Sequence, residues 1–74
     1  SPNYFSAIFK RETGKTVLAY LTEQRMVKAC YHLHTSNLPL AAVASSVGYQ
    51  DFRYFSRAFR RMTGFTPSEY RKRG

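Results

Sequence analysis

The amino-acid sequence predicts an all-helical domain, and three observations lead there. Apolar residues recur at helical spacing, as in Phe5, Ile8 and Phe9 and again in Phe55, Ala58, Phe59 and Met62. Capping residues and glycines punctuate the chain at helix-length intervals, and no stretch alternates as a half-buried strand would. Third, the chain repeats itself at a fixed offset of 50 residues. Tyr4-Phe5-Ser6 returns as Tyr54-Phe55-Ser56, Phe9 as Phe59, Arg11 as Arg61, Thr13-Gly14 as Thr63-Gly64, Thr16 as Thr66 and Tyr20 as Tyr70. Nine identities, with Lys10 answering Arg60, mark two copies of one structural unit within a single small domain of 74 residues.

The elements follow in order. Ser1-Pro2 reads as an N-cap and a first-turn proline, and Gly14 closes this first helix as a C-cap glycine. Thr16 caps a long helix from Val17 to about His34, with Leu18, Leu21, Met26, Ala29 and Leu33 expected to be buried. Thr35-Ser36-Asn37 ends it, because Pro39 cannot sit inside a helix. A short helix over Leu40–Val47 presents Leu40, Val43, Ala44 and Val47 on one face, and Gly48-Tyr49-Gln50 is a tight turn. Asp51 caps the next helix, which Gly64 ends at Thr63. Thr66-Pro67-Ser68-Glu69 is a capping box, and it opens a last short helix to the C-terminus. The units are thus 1–14, 16–35, 39–64 and 66–74.

Twelve Lys and Arg against four acids give a net charge of +8 and a pI near 10.2. That is the footprint of a binder of nucleic acid or of anionic membrane. A single cysteine, Cys30, excludes an internal disulfide framework, and no apolar run approaches the roughly 18 residues of a membrane span. No signal-peptide pattern opens the chain, so a reducing cytoplasm fits best. The abrupt start at Ser1-Pro2 suits a piece of something longer. Cys30 and His34, four apart, are too few for a structural metal site, which wants four ligands. Neither paired carboxylates, nor a nucleophile beside a base, nor a phosphate-cradling glycine loop is present. No enzyme activity and no cofactor are therefore expected. Arg25 is expected to pin the long helix to a neighbour, and Cys30 to act as a small packing residue.

Residues 40–63 form short helix, glycine turn, second helix, the arrangement whose second helix enters a DNA major groove. At about 100° per residue, Phe55, Ala58, Phe59 and Met62 share one face of that second helix, the face expected to be buried. Arg53, Arg57 and Arg60 fall on the opposite face, with Ser56 at its margin. The guanidinium fork suits the guanine O6/N7 edge and phosphate alike. Arg53, Ser56 and Arg57 are assigned to base edges, and Arg60 and Arg61 to phosphates. In the first copy Asn3, Ser6 and Ala7 take the base-reading places, and Lys10 and Arg11 the phosphate places. Asn can read adenine and Ala offers only contact with a thymine methyl, so the two copies should prefer different sequences. The competing explanation is an ordinary solvated charged face.

These residues together resemble the DNA-binding region of the arabinose-regulator (AraC/XylS) family of bacterial transcription factors. The resemblance is carried by Tyr4-Phe5-Ser6, Phe9-Lys10-Arg11, Gly14, Tyr20-Leu21 and Arg25 to Ala29. It continues through Ala44, Val47-Gly48-Tyr49, Asp51, Tyr54-Phe55-Ser56-Arg57, Phe59, Gly64-Phe65-Thr66-Pro67 and Tyr70-Arg71. It implies a homeodomain-like fold of two helix-turn-helix units joined by one long helix. It also implies monomeric binding of double-stranded DNA at two successive major-groove segments. Such proteins usually activate transcription by contacting RNA polymerase, and many carry an effector-binding domain elsewhere in the chain. The family's region begins with two helices that here lie before Ser1, so the first helix-turn-helix is incomplete. Phe5 and Phe9 should then lack cover, leaving the isolated chain marginal, self-associating or completed by a partner segment. His32-Leu33 stands where a leucine pair is usual, and Arg53 where serine is frequent. Two other functions compete with this one. One is the DNA-targeting module of a repair enzyme, which a cysteine cluster upstream would favour. The other is a basic domain on anionic membrane, disfavoured by the absence of Trp and by cations fixed on capped helices.

Overall fold

Five helices make up the described residues, 2–74, of the computed structural model. They are α1 (Pro2–Thr13), α2 (Val17–Thr35), α3 (Leu40–Ser46), α4 (Phe52–Thr63) and α5 (Pro67–Arg73). There is no strand among them, as expected. The N-cap expected at Ser1 lies outside the described residues.

Local chemistry sets the boundaries. The Thr16 hydroxyl accepts the Ala19 N–H at 3.0 Å and starts α2. Asp51 Oδ1 accepts the Tyr54 N–H at 3.2 Å and starts α4. The capping box is complete at α5: the Glu69 N–H donates to Thr66 Oγ1 at 3.2 Å, and the Thr66 N–H donates to Glu69 Oε1 at 2.8 Å. Gly14 and Gly64 end α1 and α4 with φ of 78° and 86°, a region where a Cβ would strain the backbone.

The internal repeat is preserved to the level of single contacts. Phe9 and Tyr20 meet edge-on at 5.5 Å, and Phe59 and Tyr70 meet edge-on at 5.4 Å. The Thr13 hydroxyl donates to the Phe9 carbonyl at 2.7 Å, and the Thr63 hydroxyl donates to the Phe59 carbonyl at 2.9 Å. Thr16 and Thr66 share φ and ψ within a degree (−69°, 157° and −69°, 158°). The first turns of α2 are therefore the counterpart of α5, and α2 simply continues where α5 stops.

The core sits at the second half of α2. Met26, Ala29 and Leu33 of α2 pack with Val43 and Ala44 of α3, with Val47, and with Phe55, Ala58 and Phe59 of α4. Cys30, Leu40, Tyr49, Phe52 and Tyr70 seal its edges. Each buried ring or branched chain contributes about 1.5–3 kcal/mol. Tyr70 lies against Cys30, and that contact together with burial pushes its phenol above the usual tyrosine range. Leu33 is buried in this cluster, while His32 is half-buried with its ring 5.7 Å from that of Tyr31.

Three expectations of burial fail. Leu18 and Leu21 are exposed, Leu18 by 70%. Leu18 lies in line with Ala29 on α2, but α1 has no buried residue with which to enclose it, and Leu21 lies about 140° around the helix from Met26, off the buried face. Met62 is exposed as well. α3 and α5 have seven residues each, about 10 Å of helix, and together they do not cover the last turn of α4.

Arg25 behaves as expected. Its guanidinium lies 5.8 Å from the Tyr49 ring and beside Gly48, tying α2 to the turn between α3 and α4.

Candidate nucleic-acid interface

The turn at Gly48–Gln50 and the Asp51 cap aim α4 so that Phe55 and Phe59, each fully buried, face α2 and α3. Docking that face turns the other one outward. Arg53, Arg57, Arg60 and Arg61 are all exposed, and Ser56 is half-buried beside them. Arg57, Arg60 and Arg61 line one shallow hollow of about 460 Å³. Among the described residues, none of the four arginines is within salt-bridge distance of a carboxylate. Two acids that could have neutralised this surface serve as helix N-terminal groups instead. Asp51 caps α4 and Glu69 closes the capping box. The hydrogen bonds from Thr66 hold the Glu69 carboxyl below its ordinary value, and the fields of Arg60 and Lys72 add to the effect. The site therefore offers forked donors, none in contact with a carboxylate, on one face of a rigid rod.

The first copy is arranged the same way with less charge. Asn3, Ser6, Ala7, Lys10 and Arg11 are all exposed on α1. Ser6 and Lys10 border a hollow of about 430 Å³ with Thr16, Val17, Leu18 and Leu21 of the α2 end. Arg11 approaches Glu12 at 3.4 Å, an exposed pair of neighbours that contributes little. The molecule is 41 Å long and about 20 Å across, with α1 on the first half of α2 and the core on the second. That length exceeds the ~34 Å of one turn of B-DNA.

Sequence reasoning missed one functional group of the fold. Arg71 sat in a run of cations, yet its Nε donates to the Leu33 carbonyl at 3.1 Å. Its Nη1 donates to the Leu38 carbonyl at 2.7 Å, and its Nη2 to the Ser36 carbonyl at 3.2 Å. A cation placed on the carbonyl end of α2 meets the negative end of the helix dipole. The partners lie more than 30 residues away in sequence, so no local pattern announces them.

A family model described as a helix-turn-helix domain matches residues 1–73. The chain belongs to the AraC/XylS family of helix-turn-helix domains. It is 41% identical over 71 residues to the arabinose operon regulatory protein of Escherichia coli K12, covering 96% of this chain and 24% of that protein. It thus spans about a quarter of that relative's length. The C-terminal domain of AraT, a response regulator from Geobacillus stearothermophilus, superposes with a TM-score of 0.96. Identity is 39%, over all of this chain and 61% of that one. The DNA-binding domain of AdpA, a global transcriptional factor whose structure is in complex with a target DNA, gives a TM-score of 0.91. Identity there is 32%, over 97% of this chain and 65% of the other. The AraC/XylS domain described above is all-helical, and no helix among its described residues is long and apolar enough to cross a membrane.

Proposed function

We propose that this AraC/XylS domain binds double-stranded DNA sequence-specifically as the reading module of a bacterial transcriptional regulator working in the cytoplasm. The observation that carries the reading is the pair of opposed faces on α4. Phe55 and Phe59 are buried, and four unpaired arginines point away from them. Arg53, Ser56 and Arg57 read base edges, while Arg60 and Arg61 hold phosphates. Asn3, Ser6 and Ala7, with Lys10 and Arg11, do the same more weakly at a second major-groove segment. Activation through contact with RNA polymerase, under the control of an effector-binding domain outside this chain, is the direction that the family resemblance supports. Phe9 is half-buried against Tyr20 and so is not without cover as the sequence suggested, but in the 74-residue chain the exposed Phe5 beside it favours self-association, which sedimentation at several concentrations reads directly.

Selection of duplexes from a random pool, followed by comparison of Arg57→Ala on the selected and a scrambled duplex, tests the assignment. Arg57→Ala should cost about 1–3 kcal/mol on the selected sequence and relax preference at one base pair. Equal losses on both duplexes would remove Arg57 from base reading, and the absence of any enriched sequence would remove sequence specificity itself.

A further inference from the structure

Nine positions are identical in the two copies, and the fold accounts for six of them. Phe5/Phe55 and Phe9/Phe59 form the apolar stripe, and Tyr20/Tyr70 close on the latter pair. Thr13/Thr63, Gly14/Gly64 and Thr16/Thr66 end one helix and begin the next. Ser6/Ser56 belong to the reading face already described. Tyr4/Tyr54 and Arg11/Arg61 are left, and these are exposed in both copies. Arg11 and Arg61 have a phosphate role. No DNA contact has so far been assigned to the tyrosines.

Tyr54 stands in the first turn of α4, with its own N–H fixed by Asp51 at 3.2 Å. Its side chain is 57% exposed, a high figure for a large aromatic residue. The ring is nonetheless held. Tyr49 lies 6.0 Å away at 30°, and Tyr49 is itself wedged between the Phe55 ring at 5.4 Å and the Arg25 guanidinium at 5.8 Å. At about 100° per residue, Tyr54 lies some 20° from Arg61 and 60° from Arg57 around the helix. It therefore borders the cationic face on the side of the glycine turn. A duplex seated with Arg57 at its base edges brings a sugar-phosphate wall to that border. Phenol is a neutral hydrogen-bond donor on a stiff, flat stem with two torsions, suited to packing on deoxyribose while its hydroxyl reaches a phosphate oxygen.

We propose that the Tyr54 hydroxyl donates a hydrogen bond to a DNA phosphate beside the groove that Arg57 reads, and that Tyr4 makes the equivalent contact in the first copy. The proposal rests on the DNA-binding reading above. Because the contact is to backbone, it adds affinity without sequence preference. Because the donor is neutral, it adds no counterion release.

The test is binding of random-sequence duplexes of about 30 base pairs, roughly three turns, across a salt series, with wild type, Tyr54→Phe, Tyr4→Phe and Arg61→Ala. Tyr54→Phe should weaken binding about threefold to tenfold, with the slope against log salt and the melting temperature unchanged. Tyr4→Phe should act in the same sense. Wild-type affinity in Tyr54→Phe, beside a clear loss in Arg61→Ala, would overturn the proposal and leave DNA binding intact. A loss that tracks a lower melting temperature or a changed salt slope would overturn it too. Failure of the wild type to bind duplex at all would instead bring down the DNA-binding reading.

Discussion

Phe5 and Phe55 hold the same place in the two copies, yet Phe55 is wholly buried and Phe5 is 60% exposed. The difference lies in what stands over each ring. α3 with Val43 and Ala44, together with Tyr49 and Phe52, encloses Phe55. Phe5 has its helix neighbour Phe9 at 6.0 Å. In the monomer, at concentrations below those at which the chain self-associates, Phe55→Ala should therefore cost about 3–5 kcal/mol, and Phe5→Ala within about 0.5 kcal/mol of nothing, as at other surface sites. Urea unfolding of the two variants measures the contrast, and equal losses would mean that Phe5 is covered in solution.

Arg61 and Arg71 are cations ten residues apart with different employment. Arg61→Ala should weaken all duplexes alike and lower the salt slope by roughly one unit. Its thermal stability should stay close to wild type, because the side chain is exposed and unpaired.

Arg71→Ala should do the reverse. Three carbonyls lose a charged donor, at a cost of about 1.5–3 kcal/mol in unfolding free energy. Arg71→Lys should recover only part of this, because an ammonium cannot span the three acceptors as the guanidinium does. Chemical denaturation, with the salt dependence of DNA affinity as a control, separates the two arginines.

Glu69 supplies a pH signature. Its carboxyl is held below the ordinary value of 4.5, so its contribution to stability is present above that pH. The contribution is lost as pH falls through the lower folded value. Glu69→Gln keeps an acceptor for the Thr66 N–H but cannot titrate. Below pH 4.5 the melting curves of Glu69→Gln should fall less steeply with acid than those of wild type. Parallel curves would show that Glu69 adds no pH dependence.

Much of this was readable in the chain. The caps at Thr16, Asp51 and Thr66, the terminating glycines and the opposed faces of α4 depend on contacts within a few residues. Local sequence encodes such contacts directly. Leu18 and Met62 show where that stops. Periodicity names the side of a helix that is apolar, but whether anything covers it depends on the reach of other helices. Arg71 fails for the opposite reason: its acceptors are backbone carbonyls, which every residue has, brought near by the fold alone. The support of Tyr54 by Tyr49 and of Tyr49 by Arg25 is a third case, since it joins α2, the turn and α4.

Because the opening turns of α2 are also the closing element of the first copy, the two halves share one unbroken shaft. Its length sets both their distance and their phase. One residue inserted near Val27 would advance the second half by about 1.5 Å and swing it by about 100°. Four residues would add about 6 Å and bring it back to within about 40°. Half-sites on DNA are thus gauged by a count of helical residues, and a new operator spacing would be reached by lengthening the shaft in steps of whole turns.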